Sequence, residues 1–362
     1  MATTIAMALT LPPPPSLELA RDLRWRNPLR IHPLRLRPLQ ALRRGESSPL
    51  PPTLRALGGS SAAAPSEAVA EGEEKEEEET FTLLASITSR YNEITIVDSP
   101  KSRLLLLDNS GNIHSMIKKE NLWTGSYWDE FASLPAIIPH GPIAILGLGA
   151  GTAARLMLEL WPSLHLIGWE IDETLIYMAR EYFGLSNLEK CTKSGGSLSV
   201  QIGDALSPSA TVEGGFAGKL NCLKTHAQSI DSIIVDLFSD GKILPQLEEQ
   251  NVPQVETWLE IEKKLMPHGR IMVNCAGKNA EASNDGDRTA PTNVLAITSW
   301  MKNSTIKTLC RAFPGKVSWK KMEGEDNYLA LTGPPPDLDT WSAAVPSQLS
   351  LSAKQWKPCE LD

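Results

Sequence analysis

This sequence lacks closely paired cysteines, an excess of basic over acidic residues and long apolar runs. The five cysteines include no Cys-x-x-Cys pair and the six histidines are dispersed, which argues against a metal site and fits reduced thiols. The net charge of −8 is unfavourable for binding a phosphate backbone, so nucleic acid is not an expected partner. No apolar run is long enough to span a membrane, so no membrane association is expected either.

The first 66 residues differ in composition from the rest of the chain. They contain nine arginines, no lysine and three acidic residues, and they show no sustained periodicity. This composition is typical of a disordered organellar transit peptide, for which we expect the chloroplast stroma, with the mitochondrion as the alternative. Residues 67–79 carry eight glutamates and one lysine and predict a disordered acidic linker.

A strand, a glycine loop, a helix and a second strand follow one another at residues 143–172. The apolar run 143–146 leads into Gly147, Gly149 and Gly151, and the second apolar run ends in Glu170. Glycines allow the backbone to approach a ligand, and the helix N-terminus offers free N–H groups. A carboxylate at a strand end can accept hydrogen bonds from both hydroxyls of a ribose. The order of these elements predicts a nucleotide site.

The remaining elements predict the fold class, which is α/β. Strand signals and a turn at 108–111 predict a small N-terminal antiparallel β-subdomain at residues 80–120. Alternating strands and helices predict a doubly wound, mostly parallel, Rossmann-like sheet at 121–333, in which 317–321 and 328–331 form an antiparallel pair. Residues 334–362 form a C-terminal tail, whose Trp341 and Trp356 are expected to dock on the domain. Residues 207–228 and 277–293 are expected to be inserted surface loops.

The glycine spacing narrows the choice of ligand. A dinucleotide fingerprint requires G-x-G-x-x-G/A, whereas Gly151 comes one residue early and Thr152 stands where that pattern has Gly or Ala. The G-x-G-x-G form resembles that of S-adenosylmethionine-dependent methyltransferases. We therefore expect S-adenosylmethionine or its decarboxylated form as the cofactor, and no metal.

Four acidic residues lie near the ends of predicted strands, where open α/β sheets bind ligands. Asp172 is expected to be a helix N-cap. Asp204, with Ala205, is placed where an acceptor beside a backbone N–H can read the amino edge of adenine. Asp236 and Asp240 follow the fourth strand, where ligand contact and a turn role are both open.

Together these motifs resemble the spermidine synthase-like branch of the methyltransferase fold. The match spans roughly residues 86–332 and includes Ser-x-Tyr-Asn, Leu-Leu-Leu-Leu-Asp-Asn, the glycine loop, Glu-Ile-Asp, Gly-Asp-Ala and Ile-Ile-Val-Asp. The resemblance implies that the β-subdomain shapes the acceptor end and that an aspartate after the fourth strand, Asp236 or Asp240, accepts a proton from the attacking amine. It implies acceptor contacts for Asn92 and Tyr127. The cofactor contacts are expected at Gly147, Gly149, Ala150, Gly151, Glu170, Ile171, Asp204, Ala205 and Asp236.

The chain departs from this family at the amine-binding positions. The family loop reads Gly-Gly-Gly-Asp-Gly-Gly, and Ala150 replaces its acid, which attracts the free amine of the decarboxylated cofactor. Asn92 and Asn112 stand where the family has glutamines, and its Asp-Glu pair before the substrate helix is missing. Losing one charge-assisted contact costs about 1.5–3 kcal/mol.

Three functions follow as hypotheses. The leading one is a methyltransferase that uses intact S-adenosylmethionine, with a small-molecule acceptor such as an amine. The second is a polyamine aminopropyltransferase, in which Asp129, Glu130 or Asp240 would supply the missing charge. The third is a non-catalytic binding protein on the same fold. A homodimer is compatible with each of them.

Overall fold

The computed structural model describes residues 80–139, 141–207, 230–239, 242–248, 252–277, 299–325 and 327–359. The predicted transit peptide, the acidic linker, most of the two predicted inserts and Asp240 lie outside the described residues. Within these ranges, no helix is long and apolar enough to cross a membrane.

A separate four-stranded antiparallel sheet precedes the nucleotide motif. Its strands follow chain order and are β1 (Thr82–Thr88), β2 (Glu93–Asp98), β3 (Ser102–Leu106) and β4 (Ser115–Lys118). The predicted turn after β3 is confirmed, because the Asp108 carboxylate accepts a hydrogen bond from the Ser110 amide at 2.8 Å. Such an Asx turn is a common use of aspartate in a hairpin connection.

The second sheet has eight strands in the order β14-β12-β13-β11-β8-β5-β6-β7. The strands from β11 to β7 are parallel, and β13, β12 and β14 extend the sheet antiparallel. Their bounds are β5 (Ile143–Leu146), β6 (His165–Glu170), β7 (Ser197–Ile202), β8 (Ile230–Val235), β11 (Leu265–Asn274), β12 (Val317–Lys321), β13 (Tyr328–Thr332) and β14 (Lys357–Pro358), while β9 (Phe238–Ser239) and β10 (Lys242–Ile243) form a short hairpin. The predicted fold class and the antiparallel pair at its end are confirmed.

Helices cover both faces of this sheet. They are α1 (Tyr127–Phe131), α2 (Thr152–Leu160), α3 (Glu173–Tyr182), α4 (Leu185–Leu188), α5 (Pro245–Glu248), α6 (Val252–Glu262), α7 (Ser304–Ala312), α8 (Leu338–Ala344) and α9 (Ser347–Ala353), with 3-10 turns at Leu134–Ile137 and Ser299–Lys302. Asp172 caps α3 by accepting hydrogen bonds from the amides of Thr174 and Leu175, as predicted.

The alternation of side chains along β5 explains the two cores. Ile143 and Ile145 are buried in one apolar cluster, which also contains the inner faces of α2 and α3. Ala144 and Leu146 are buried in the other, which contains residues of α6 and α7. Because successive side chains of a strand point to opposite faces, a fully apolar strand requires cover on both sides.

The C-terminal segment is an integral part of the first core. Trp341 is completely buried and Trp356 is 3% exposed, with ring centroids 5.6 Å apart. The indole N–H of Trp341 donates to the carbonyl oxygen of Ser133 at 2.9 Å. The predicted docking of both tryptophans is therefore confirmed.

A buried ion pair joins this segment to α1. Lys320 Nζ of β12 lies 2.8 Å from Glu130 Oε2 of α1, and their side chains are 2% and 6% exposed. The Ser352 hydroxyl of α9 contacts both charged groups, and its carbonyl oxygen accepts from Lys320 Nζ at 3.1 Å. Burial alone lowers the pKa of Lys320, whereas the neighbouring Glu130 raises it. The pair thus holds α1, β12 and α9 together.

We expect Lys320→Met to lower the free energy of unfolding by about 3–5 kcal/mol, because it leaves the Glu130 carboxylate buried without its counter-ion. The double variant Glu130→Met/Lys320→Met should lose much less, since it leaves no unpaired charge. Urea unfolding of both variants measures the difference. Equal losses in the single and double variants would contradict a paired role.

Candidate functional site

The glycine loop lies directly against the end of β8. Gly147 has a φ of 87°, and a Cβ built on it would be 2.1 Å from the carbonyl oxygen of Asp236. A side chain at this position would therefore force the loop away from the strand end. Gly149 and Gly151 also have positive φ values, of 56° and 84°, which glycine adopts at little cost.

The β-subdomain holds this loop from the other side. The amide of Ala150 donates to Ser115 Oγ of β4 at 2.9 Å. Thr152 Oγ1 accepts from the Met116 amide at 2.8 Å and donates to the Met116 carbonyl oxygen at 3.1 Å. Sequence reasoning missed the roles of Ser115 and Thr152. Ala150 itself is only 2% exposed, so position 150 is enclosed by this junction.

Glu170 lies beside the loop, at the end of β6. Its Oε2 accepts from the Gly149 amide at 3.0 Å, and its Oε1 accepts from the Asp172 amide at 3.2 Å. Burial raises the pKa of Glu170, and these two amide hydrogen bonds lower it. Each carboxylate oxygen can accept a second hydrogen bond. Glu170 is thus oriented by the backbone and keeps acceptor capacity for two further donors.

Three further predicted residues lie at the same edge of the sheet. Ile171 follows Glu170 and is 40% exposed. Glu170 pairs in register with Ile202 of β7, so Asp204 comes two residues past that pair. Asp204 is exposed and accepts a hydrogen bond from the Leu206 amide at 2.9 Å, while Ala205 is buried. A role for Asp204 and Ala205 at an adenine edge stays a prediction.

Asp236 follows β8 and accepts hydrogen bonds from the side chains of Tyr127, Asn274 and Trp128. The Tyr127 hydroxyl donates to its Oδ2 at 3.2 Å, and Asn274 Nδ2 donates to its Oδ1 at 3.0 Å. Burial raises the pKa of Asp236 to about 6, against the opposing hydrogen bonds from Asn274, Tyr127 and Trp128. Burial, followed by the neighbouring Asp236, raises the pKa of Tyr127 well above its usual value. A carboxylate of this kind can accept a proton near neutral pH.

Asn274, at the end of β11, is a further residue of the site that sequence reasoning missed. Its Oδ1 accepts from the Ala276 amide at 3.1 Å, so the side-chain amide is oriented with its N–H group towards Asp236. Asn274 is 3% exposed. Its position at the carboxyl end of a parallel strand, as for Glu170 and Asp236, was the available signal.

The acids around α1 hold the helix in place. Asp129 accepts from the Thr124 amide at 2.9 Å, the Thr124 hydroxyl at 2.7 Å and the Gly125 amide at 2.8 Å. Glu130 is paired with Lys320. Local donors engage the Asp129 carboxylate and a buried cation engages that of Glu130, so both acids support α1. That Asp129 or Glu130 supplies the charge of an amine pocket stays a prediction.

Glu325 is a third acid near α1. It accepts hydrogen bonds from the Ser126 side chain and the Tyr127 amide, at the N-terminus of the helix. Burial raises its pKa, and these two hydrogen bonds lower it. Glu325 thus supports the helix that carries Tyr127.

The two predicted acceptor residues lie in different networks. Tyr127 contacts Asp236, whereas Asn92 Nδ2 donates to Asp172 Oδ2 at 2.8 Å. The Ser89 hydroxyl donates to the same Asp172 oxygen. Asn92 thus links the β-subdomain to the start of α3, close to Glu170, and its contact with an acceptor stays a prediction.

Comparison with known proteins gives the following relatives. No protein-family model matches the chain. It is 24% identical over 237 residues to a probable polyamine aminopropyl transferase of Bifidobacterium longum, with 64% of this chain and 47% of that protein covered. The chain therefore spans about half the length of the curated relative that it matches.

Two solved structures are also similar. A probable spermidine synthase from Corynebacterium glutamicum shares 18% identity at a TM-score of 0.47, with 77% of this chain and 97% of that chain covered. Human methyltransferase-like protein 13, solved in complex with SAH, shares 19% identity at a TM-score of 0.42, with 65% and 95% covered. The relatives and neighbours are spermidine synthase-like and methyltransferase-like. The resemblance drawn from the sequence motifs agrees with the match to the curated relative.

Glu170→Ala should weaken the binding of 5′-methylthioadenosine roughly 5- to 150-fold, since two ribose hydrogen bonds worth about 1–3 kcal/mol together are lost. Isothermal titration calorimetry measures the affinity, and circular dichroism checks that the fold is retained. Glu173→Ala is the matched control, because Glu173 is an exposed glutamate in the first turn of α3. Unchanged affinity in Glu170→Ala would mean that the nucleoside does not bind at this edge.

Asp236 should give the protein a characteristic dependence of stability on pH. Because burial raises its pKa from 3.8 to about 6, the folded state keeps a proton that the unfolded state releases above pH 4. Its contribution to stability is therefore complete below about pH 4 and is lost as pH rises through about 6. Relative to wild type, Asp236→Asn should gain about 2–3 kcal/mol in the free energy of unfolding between pH 4 and pH 7.

Asp98 offers a control of opposite sign for this measurement. Burial raises its pKa, but hydrogen bonds from Lys119 and Arg103 outweigh burial and lower it overall. Asp98→Asn should therefore lose stability relative to wild type as pH rises over the acid range. Parallel pH profiles for wild type and Asp236→Asn would contradict a raised pKa at Asp236.

Proposed function

We propose that this protein is an S-adenosylmethionine-dependent methyltransferase that acts on a small-molecule acceptor in the chloroplast stroma. The observation that carries the proposal is the position of Asp236. Its carboxylate is held by Tyr127 and Asn274, and its backbone carbonyl oxygen lies against Gly147 of the loop expected to bind the cofactor. A proton acceptor thus stands beside a nucleoside site.

The residues at this edge fit an adenosyl cofactor. Glu170 is oriented towards the loop by two backbone amides and retains acceptor capacity for ribose hydroxyls. The exposed Ile171 offers apolar surface to an adenine ring, and Asp204 offers acceptor oxygens near its amino group. When bound, the cofactor supplies a carbon activated by a sulfonium centre. The contribution of the protein is then to align the acceptor and to exclude water.

In this proposal Asp236 takes the proton that the acceptor loses. With a pKa of about 6, its carboxylate is mainly ionised above neutral pH and can accept hydrogen bonds from a nucleophilic amine or hydroxyl. Tyr127 and Asn274 fix the two carboxylate oxygens, so the remaining lone pairs point in defined directions. Tyr127 stays protonated at this pH, because its own pKa is raised.

Methyl transfer is favoured over aminopropyl transfer by the charges available at the cofactor loop. Ala150 occupies the position at which the aminopropyltransferases have an aspartate. Glu130 is paired with Lys320, and Asp129 is held by Thr124 and Gly125 in the turn before α1. The absence of the carboxylate removes an attraction for the amine of the decarboxylated cofactor and a repulsion for the carboxylate of the intact one.

Aminopropyl transfer remains the second candidate, on two specific observations. The curated relative is described as a probable polyamine aminopropyl transferase. The Tyr127–Asp236 hydrogen bond also joins the two residues that the family resemblance assigns to acceptor binding and to proton transfer. In that reaction Asp236 would accept the proton from the attacking amine of the acceptor.

Calorimetry of the full chain with intact and decarboxylated S-adenosylmethionine distinguishes the candidates. We expect the intact form to bind at least as tightly as the decarboxylated form. Ala150→Asp should shift the ratio of the two affinities roughly 10- to 150-fold towards the decarboxylated form. Ala150→Asn is the matched control, because it adds similar volume at this enclosed position without the charge.

Product analysis then assigns the reaction. Tighter binding of the decarboxylated form, together with spermidine formation from putrescine, would replace the methyltransferase proposal by aminopropyl transfer. If neither form of the cofactor binds, and methylthioadenosine does not bind either, the remaining hypothesis is a non-catalytic binding protein.

A further inference from the structure

Three cysteine side chains meet behind the site, on the face of the sheet covered by α6 and α7. Cys275 directly follows Asn274 at the end of β11, Cys310 lies on α7, and Cys359 follows β14. All three are free thiols that pack in the same apolar cluster, and only Cys359 is partly exposed. The proposed function uses none of them.

Cys310 and Cys359 are direct partners. The Cys359 thiol donates a hydrogen bond to the Cys310 sulfur, which lowers the pKa of Cys310 and raises that of Cys359. Cys275 lies near both, but its thiol contacts the carbonyl oxygen of Val273 at 3.7 Å, and burial raises its pKa. The pair therefore consists of one enclosed sulfur whose pKa is lowered and one sulfur that solvent can reach.

A metal site is not the explanation of this cluster. No group of three or more His, Cys, Asp or Glu residues in the described ranges has an arrangement suited to holding a metal ion. Cys191, outside this cluster, is disulfide-bonded. The sequence-based expectation of wholly reduced thiols is wrong at Cys191, since sequence spacing does not reveal which cysteines meet in space.

We propose that Cys310 and Cys359 are a modification site: a reversible thiol–disulfide pair that fastens the C-terminal strand to α7. The oxidant is a small-molecule disulfide of the glutathione class. When β14 opens, Cys359 leaves its hydrogen bond to Cys310, loses its proton to solvent and attacks one sulfur of that disulfide, which releases one small thiol. The Cys310 thiolate then attacks the Cys359 sulfur and releases the second. Two protein thiols are oxidised to one disulfide, and their two protons and two electrons leave in the two small thiols.

The attachment of β14 explains what such a bond would change. This edge strand has two residues and pairs with β12 through Ser318 and Trp319, and the Cys359 amide donates to the Val317 carbonyl oxygen at 2.8 Å. So short a terminal strand opens easily. Because Trp356 and Ser352 precede it, the disulfide would also secure the segment that holds α1 through Glu130.

Peptide mapping of the full chain tests the proposal directly. Each of the five cysteines falls in a different tryptic peptide, with Cys310 in 308–311 and Cys359 in 355–362. The chain is equilibrated in buffers of reduced and oxidised glutathione, alkylated and digested. We expect a linked 308–311/355–362 pair in oxidising buffer that disappears on reduction. Its formation should raise Tm by roughly 5–10 °C, because it closes a loop of about 50 residues.

The variants Cys359→Ser and Cys310→Ala should each abolish the linked peptide and the rise in Tm. Cys275→Ala is the matched control and should retain both. Cys359→Ser keeps the test valid should the buried Cys310→Ala variant fail to fold. A link through Cys275, a glutathione adduct on Cys359 that goes no further, or no change over the whole buffer series would each overturn the proposal.

Discussion

The close approach of the glycine loop to the end of β8 is the contact on which the site depends. A side chain at Gly147 would collide with the Asp236 carbonyl oxygen, so the two segments can meet only without one. Two residues later, the same loop presents the Gly149 amide to Glu170. One short loop therefore sets the distance between the proposed nucleoside acceptor and the proposed base. A shift of the loop would therefore change the distance between Glu170 and Asp236.

Tyr127, which contacts the proposed base, is positioned by residues outside the parallel sheet. Tyr127 reaches Asp236 from α1, a helix of five residues that is too short to be stable alone. Asp129 holds the turn before it, Glu325 accepts at its N-terminus, and Glu130 is paired with Lys320. Three carboxylates thus support the helix that carries a single tyrosine.

Sequence was sufficient for the features that depend on local pattern and insufficient for those that depend on distant partners. The apolar runs of β5, β6 and β8, the Asp172 cap and the burial of Trp341 follow from neighbouring residues. Asn274 and Asp236 are 38 positions apart, and Ala150 and Ser115 are 35 apart. Such polar pairs have no periodicity, because their meeting depends on the sheet order and on the docking of the β-subdomain.

The ion pair between Glu130 and Lys320 determines where the chain can be divided into domains. The predicted domain boundary at residue 333 comes directly after β13. It does not separate two folding units, because Trp341 and Trp356 lie in the same core as the sheet. Ser352 completes the polar contacts of the pair, and Trp341 closes the core around Ser133. A chain shortened at that boundary would keep all residues of the proposed site and lose the support that aligns them. The unit that carries the proposed site, in the sense of what can be transplanted as one piece, therefore extends to the C-terminal strand.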